Sequence, residues 1–250
     1  MNIGLYQSAS ALSALERWQD AVSQNITSAQ TTGFRKRTVQ FSTEAAGKWN
    51  INPYAKNAGP ENEHAVLFTH VTTGINFLTG ETQPTRRELD VAIQGDGFFE
   101  MNGPDGQKLY TRSGEFRVTP ERVLVGAGGL EVMTEGGSSI TMLPGGGAIT
   151  INRDGTIFQG ATALGKLAIH KFTNPGALIP TAAGMFIEGA GAGREPVDEP
   201  ELMQGYLEQS NVQPLREMVD LVLISRAYDA NQKIITTADK QMEKTLEALG

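Results

Sequence analysis

The sequence predicts a mixed fold in which long N- and C-terminal α-helices pair as a coiled coil and flank a central all-β domain. Three observations predict it. Apolar residues recur at alternating three- and four-residue steps at both ends of the 250-residue chain. Between about residues 65 and 201 the period changes to two, and most of the 29 glycines lie in this middle part. The composition therefore divides the chain into three parts.

The N-terminal helix is predicted within residues 1–33, where the break at Thr31-Thr32-Gly33 ends the periodic pattern. Alanines at five positions of this segment favour a helix and permit close helix contact. Taken alone, the pattern also fits an ordinary amphipathic helix on a globular core. The residues expected to face a partner helix are Leu5, Leu12, Leu15, Val22 and Ile26.

Residues 34–68 show little periodicity and contain several turn signals, so they predict a long, partly extended connector. The β domain is predicted over residues 69–204, where short period-two segments alternate with turns such as Gly95-Asp96-Gly97 and Pro104-Asp105-Gly106. Many short strands at even spacing are typical of an all-β body.

The C-terminal helix is predicted within residues 205–250, beginning at Pro214, whose missing N–H costs nothing in the first turn. Its heptad seam contains Leu221, Ile224, Tyr228, Asn231, Ile235 and Met242. A second apolar stripe contains Val219, Leu223, Ala227, Ala230 and Ile234, and two apolar faces require two partners. A helix of this length would span roughly 54 Å. Periodicity alone also fits a helix packed on its own domain or a simple dimer.

Composition and motifs argue against several classes of function. The net charge of −7 and the pI near 5.1 argue against a nucleic-acid partner. No cysteine occurs, and no motif of a catalytic, cofactor-binding or metal site is found, so we expect no enzyme activity, no cofactor and no small-molecule substrate. Gly189-Ala190-Gly191-Ala192-Gly193 superficially resembles a phosphate loop, but prolines follow where a helix would have to begin.

Three segments of the chain resemble the flagellar rod and hook family of axial proteins. The first motif segment, residues 25–34, is similar to the family signature Asn-Leu-Ala-Asn-x-x-Thr-x-Gly-Phe, with different residues at Thr27 and Ser28. The second or middle motif consists of residues 89–99 and 110–116, and the third of residues 206–212 and 225–233. Glu121-Arg122 stands in a turn where that family more often has glycine. The residues that carry the resemblance are Asn25, Thr31, Gly33, Phe34, Leu89, Asp90, Gly95, Gly97, Phe98, Tyr110, Thr111, Arg112, Gly114, Ser210, Asn211 and Arg226.

The resemblance implies a structural subunit of the bacterial flagellar basal-body rod, proximal or distal, that assembles through its terminal helices into the shaft transmitting motor torque. The implied partners are further copies in a helical array and other rod and hook proteins. The implied location is the basal body outside the cytoplasmic membrane, reached through the flagellar export apparatus without a cleaved signal peptide. The alternative function is an extracellular β-domain binding module on a coiled-coil stalk.

Overall fold

A computed structural model describes residues 3–50 and 63–248 of the chain, which form two compact units. The first unit contains helix α1 (Ile3–Thr27), strands β1 (Arg37–Asn50) and β2 (Glu63–Ile75), and helix α2 (Pro214–Glu247), except for the last residues of α1 and β2, which belong to the second unit. The second unit is built from residues 27–36 and 75–213. The predicted terminal helices and the β-rich middle are therefore confirmed.

The ends of both helices follow from local chemistry. After α1 the chain turns, with the Thr31 N–H donating to the Ser28 carbonyl at 3.0 Å, and reaches Gly33 at a positive φ of 67°. Helix α2 begins at Pro214 and carries Glu217 in its first turn and Lys244 in its last turn. These charges complement the helix dipole at both ends of α2.

Strands β1 and β2 pair as a two-stranded sheet, and α1 lies on it. The Ser10 hydroxyl donates to the Thr69 carbonyl at 2.9 Å, and the Trp18 ring lies 5.5 Å from the Phe41 ring. An isolated two-stranded sheet is marginally stable, so the helix supplies the apolar cover that it needs. All of β1 and the first part of β2, residues 63–68, fall within the segment expected to be a connector, of which residues 51–62 lie outside the described residues. The domain boundaries at residues 33, 68 and 204 stay a prediction.

The predicted coiled coil of the terminal helices is wrong. Much of α1 contacts the β1–β2 sheet, as the bonds from Gln7 to the Leu67 carbonyl (3.0 Å) and from Arg17 to the Val71 carbonyl (3.4 Å) show. The two helices share one short apolar cluster, and Met242, farther along α2, is exposed. Heptad spacing indicates that a helix has an apolar face, but it does not indicate whether a helix or a sheet covers that face.

The second unit is an antiparallel β structure of short strands. Its strands are β3 (Thr82–Pro84), β4 (Val91–Gln94), β5 (Phe98–Asn102), β6 (Lys108–Thr111), β7 (Arg117–Val118), β8 (Leu124–Val125), β9 (Glu131–Val132), β10 (Ile149–Ile151), β11 (Thr156–Gln159), β12 (Thr162–Lys166), β13 (Ile169–Phe172), β14 (Ile179–Pro180), β15 (Met185–Ile187), β16 (Arg194–Pro196), β17 (Glu201–Gln204) and β18 (Tyr206–Glu208). The largest sheet runs β14-β15-β6-β5-β9-β8-β7, with β13 pairing β5 and β16.

Three smaller sheets complete the second unit, and two of them pair strands from its beginning with strands from its end. The sequence-distant pairs β17–β4 and β18–β3 bring the strands that precede α2 back to the start of the unit. Strands β10, β11 and β12 form a three-stranded sheet. The main core contains side chains such as Phe99, Met101, Leu124, Ile157 and Leu167, and a smaller aromatic cluster contains Phe98, Tyr110, Phe172 and Phe186.

Candidate functional site

The two terminal helices meet in one apolar cluster of the first unit. Leu15 and Val22 of α1 pack with Ile224 of α2, and all three side chains are buried. Removing each such side chain from water contributes about 1.5–3 kcal/mol. The predicted interface residues that the structure brings together here are Leu15, Val22, Ile26, Leu221, Ile224 and Tyr228.

The other predicted interface residues lie outside this cluster. Leu5 and Leu12 of α1, and Asn231 and Ile235 of α2, are half-buried, whereas Met242 is exposed. The Asn231 side chain donates to the Ala227 carbonyl of its own helix at 2.9 Å. Their role in assembly stays a prediction.

A buried polar contact lies beside the cluster. Asn25, at the end of α1, pairs with the backbone of Arg37 in both directions, donating to its carbonyl at 2.9 Å and accepting from its N–H at 2.8 Å. Its amide also donates to the Glu217 carboxylate at 2.9 Å, and both side chains are buried. Asn25 therefore fixes where the chain leaves α1 for β1. The sequence alone did not identify Glu217 as a partner of Asn25.

Asn211 performs a related task in the second unit. Its side-chain oxygen accepts from the Lys36 N–H at 2.7 Å, and its amide donates to the carbonyls of Asn76 and Leu78 at 2.9 and 2.8 Å. One side chain thus joins three segments that are far apart in sequence. The neighbouring Ser210 hydroxyl accepts from the Val212 N–H at 3.2 Å and turns the chain.

Two motif glycines permit close approach of backbones. A Cβ on Gly33 would lie 2.4 Å from the Ser113 nitrogen, and one on Gly114 would lie 1.7 Å from the Val91 carbonyl oxygen. The Gly33 N–H donates to the Glu208 carbonyl at 2.8 Å. Any side chain at either position would separate segments that touch, which explains the requirement for glycine.

Phe34 and Thr31 shape the turn around the first of these glycines. The Phe34 N–H donates to the Thr31 carbonyl at 3.3 Å, and the Phe34 ring is buried. The adjacent Thr32 hydroxyl lies 2.6 Å from the Ser113 hydroxyl. The first and second motif segments are therefore in direct contact within the second unit.

Arg112 lies at the centre of a buried ionic group with Glu208 and Arg35. Its guanidinium donates to the Glu208 carboxylate at 2.8 Å and to the carbonyls of Gly95 and Gly97 at 2.9 and 2.6 Å. The other oxygen of Glu208 accepts from the Arg35 guanidinium. Sequence reasoning identified Arg112 but missed its two partners, because ion pairs between distant segments leave no local pattern.

The other residues of the middle motif pack and turn around this group. Asp90 is buried and accepts two hydrogen bonds from Arg87 at 2.9 and 2.7 Å, while Leu89 lies against the main core. Phe98 lies 5.7 Å from the Phe172 ring, and Tyr110 lies 5.0 Å from it.

Two motif residues remain. The Thr111 hydroxyl accepts from the Ser113 N–H at 3.1 Å, which holds the turn after β6. Arg226 stands apart from the rest, because it is exposed on α2.

A second buried carboxylate, Glu100, gathers positive groups within the second unit. Lys108 lies 2.8 Å from one of its oxygens, and His170 and Arg194 lie 2.7 and 3.5 Å from the other. Burial raises the pKa of Glu100, but the hydrogen bonds from His170 and Lys108 outweigh it and lower the pKa to about 2. The carboxylate is therefore held charged.

The described residues contain neither a group of side chains that could hold a metal ion nor a helix that could span a membrane. Across residues 3–50 and 63–248, no three acidic or histidine side chains lie close enough together to hold a metal ion. Neither α1 nor α2 is long and apolar enough to cross a membrane.

Comparison with known proteins identifies relatives over the whole chain. Residues 203–248 match the family model described as flagellar basal body rod FlgEFG protein C-terminal, and residues 92–159 match the flagellar hook protein FlgE/F/G D1 domain. The flagellar basal-body rod protein FlgF of Caulobacter vibrioides is 32% identical over 250 residues, which cover 100% of this chain and 99% of the relative. FlgG of Borreliella burgdorferi is 31% identical, covering 95% of each chain, and FlgG of Bacillus subtilis is 29% identical, covering 96% of each.

Proposed function

The chain belongs to the family of flagellar basal-body rod proteins, and from that premise we propose that its copies assemble through α1 and α2 into the helical shaft that transmits motor torque. The chain is a structural subunit of the rod. What the proposal adds is the surface through which the copies associate and the mechanical role of that surface. The alternative of a binding module on a stalk is not favoured, because the relatives are named rod proteins.

The observation that carries the proposal is an exposed apolar stripe on α2. Its members recur at steps of three and four residues, so they share one helix face: Leu215, Met218, Val219, Val222 and Leu223. Leu215 is 81% exposed and Leu223 is 49% exposed, whereas Ile224 on the packed side is 1% exposed. A contiguous apolar stripe of this length favours contact with another protein.

An open groove lies close to this stripe within the first unit. It has a volume of about 440 Å³ and is lined by residues that include Gln19, Leu221 and Tyr228. Its size suits the side chains of an incoming helix, since ligand pockets of a few hundred Å³ accept several side-chain-sized groups. Both features support helix-mediated association of copies of the chain.

The proposed partners are copies of this chain in a helical array together with other rod and hook proteins. The proposed location is the flagellar basal body in the cell envelope, outside the cytoplasmic membrane. The names of the relatives, which are given as basal-body rod proteins, support the basal-body location and the association with other rod proteins.

The experiment replaces an exposed stripe residue by a charged one. Leu223→Asp should abolish rod assembly and motility, because a carboxylate in an apolar contact must be desolvated. It should leave the unfolding temperature of the monomer nearly unchanged, since the side chain is half exposed. Gln232→Asp, an equal charge change at an exposed polar position of α2, is the control and should assemble normally. Normal rods built from the Leu223→Asp variant would overturn the proposal.

A further inference from the structure

A small cavity in the second unit is walled by two buried arginines. Its volume is about 150 Å³, and its lining includes Arg35, Arg112, Phe98 and Phe172. The Arg112 guanidinium lies 6.0 Å from the centre of the Phe98 ring. The lining carries three cationic side chains, Arg35, Arg112 and Lys171, and one carboxylate, Asp96, so positive charge exceeds negative charge at the cavity.

The two arginines differ in how well their donors are satisfied. Arg112 donates to Glu208 and to the carbonyls of Ile93, Gly95 and Gly97, so its charge is fully surrounded by acceptors. Arg35 makes its hydrogen bonds to the described residues through Nη1 alone. Its Nε is buried, and no described residue accepts from it.

That unsatisfied donor belongs to the edge of the guanidinium that binds oxyanions best. Nε and Nη2 of an arginine form a planar fork that matches two oxygens of a carboxylate or phosphate. A buried donor without an acceptor costs roughly 1–3 kcal/mol.

The balance of buried charge also favours an anion. Arg35 and Arg112 share a single buried carboxylate, Glu208, which leaves one positive charge in excess. An uncompensated buried charge is strongly destabilising. Asp96 and Lys171 also line the cavity, but both are exposed, and Lys171 pairs with Glu195 at 3.1 Å.

We propose that this cavity binds a small oxyanion of the carboxylate, phosphate or sulfate type through the guanidinium of Arg35, which lines it. A volume of 150 Å³ is well above the roughly 10–15 Å³ that one water molecule needs, so the cavity can hold one such anion. The anion comes either from solution or from a side-chain carboxylate of a second copy of the chain. Asp96, at the same cavity, competes with it electrostatically.

The test titrates sulfate into the monomeric full-length chain, with chloride adjusted to hold the ionic strength constant, and follows the unfolding temperature. Sulfate is kept below about 20 mM, because higher concentrations stabilise proteins in general. The wild-type chain should show a saturable rise. Arg35→Gln should weaken sulfate binding by roughly tenfold or more, the effect of losing a hydrogen bond to a charged group.

Asp96→Asn separates the proposal from a purely structural role of the cluster. Removing the competing carboxylate should strengthen sulfate binding several-fold, and this readout does not require the Arg35→Gln variant to fold. Arg117→Gln, at an exposed arginine that lines a different cavity, is the control and should bind sulfate as the wild-type chain does.

Three results would overturn the proposal: no saturable effect of sulfate on the wild-type chain, weaker binding by Asp96→Asn, or an equal loss in Arg117→Gln. The source of the anion is read from self-association of the wild-type chain. Sulfate binding that leaves self-association unchanged assigns the cavity to a free anion. Sulfate binding that inhibits self-association assigns it to a carboxylate of a second copy.

Discussion

The second unit buries charged groups, whereas the first unit exposes apolar ones. Arg112 and Glu208 are each 2% exposed, while Leu215 of α2 is 81% exposed. Most proteins show the reverse distribution, with charges on the surface and large apolar side chains inside. Each inversion therefore requires its own physical reason.

The reasons differ because the buried charges bind partners within their own unit, whereas the exposed apolar side chains require a partner outside theirs. The buried charges of the second unit are hydrogen-bonded within that unit, and they join segments around Arg35, Arg112 and Glu208. Such contacts require one arrangement of the chain, so they specify its fold. The exposed stripe of α2 has no such internal requirement, and its free energy is gained only when another surface covers it. One unit holds its own shape, and the other presents a surface for assembly.

Among substitutions that test this difference between the units, the largest change in stability is expected at Ile224. Ile224→Ala should lower the free energy of unfolding of the first unit by about 2–5 kcal/mol, because it opens a cavity in the cluster with Leu15 and Val22. Ile234→Ala, at a position 57% exposed on the same helix, should change it by less than about 0.5 kcal/mol.

Hydrogen exchange of the α1 and α2 amides measures both variants in the monomer. Ile224→Ala should accelerate exchange in both helices, and Ile234→Ala should reduce assembly without accelerating exchange. If the two variants destabilised the monomer equally, the distinction between a packed side and an assembly side of α2 would be lost.

The next effect is a pH dependence that belongs to the second unit. The pKa of Glu100 is about 2 in the folded chain and 4.5 ordinarily, so the unfolded chain binds more protons between these values. The charged carboxylate thus contributes about 3 kcal/mol of stability, fully present above pH 4.5 and lost as pH falls toward 2.

Urea denaturation between pH 5 and pH 2 checks this contribution. Glu100→Gln should flatten the fall in stability over that range by about 3 kcal/mol relative to the wild-type chain. Glu135→Gln, at an exposed carboxylate paired with Lys166, is the control and should leave the curve nearly parallel to that of the wild-type chain. An unchanged slope in Glu100→Gln would show that its ion pairs do not hold the carboxylate charged.

The sequence predicted the elements of each unit better than their contacts. Periodicity located both helices, because an apolar face repeats every three to four residues whatever covers it. For the same reason it could not distinguish the β1–β2 sheet from a second helix as the partner of α1. The long strands β1 and β2 were missed because no clear alternation of apolar and polar residues marks them.

The motif residues show the same limit. Gly33 and Gly114 were identified by resemblance, but the reason for them, close approach to Ser113 and Val91, appears only in three dimensions. Arg35 and Glu208 were missed because they belong to one buried ionic group with Arg112, and the three residues lie far apart in sequence. Local chemistry is readable along the chain, whereas compensation of buried charge depends on the fold.

The smallest expected effect is at Arg122, a turn residue other than glycine that has a left-handed backbone conformation. The structure places Arg122 at a φ of +67°, with its N–H donating to the Thr119 carbonyl at 2.8 Å. A left-handed backbone costs a non-glycine residue about 1 kcal/mol, so Arg122→Gly should raise the stability of the second unit by roughly 0.5–1 kcal/mol.

Urea denaturation with Arg153→Gly as the control measures this gain. Arg153 is also an exposed arginine in a turn, but its φ is not positive, so glycine there should only add freedom to the unfolded chain and lower stability slightly. If the stability changes of the two variants have opposite signs, the gain at Arg122 comes from relief of backbone strain and not from the loss of an exposed charge. Equal signs would mean that the missing glycine has no conformational cost in this chain.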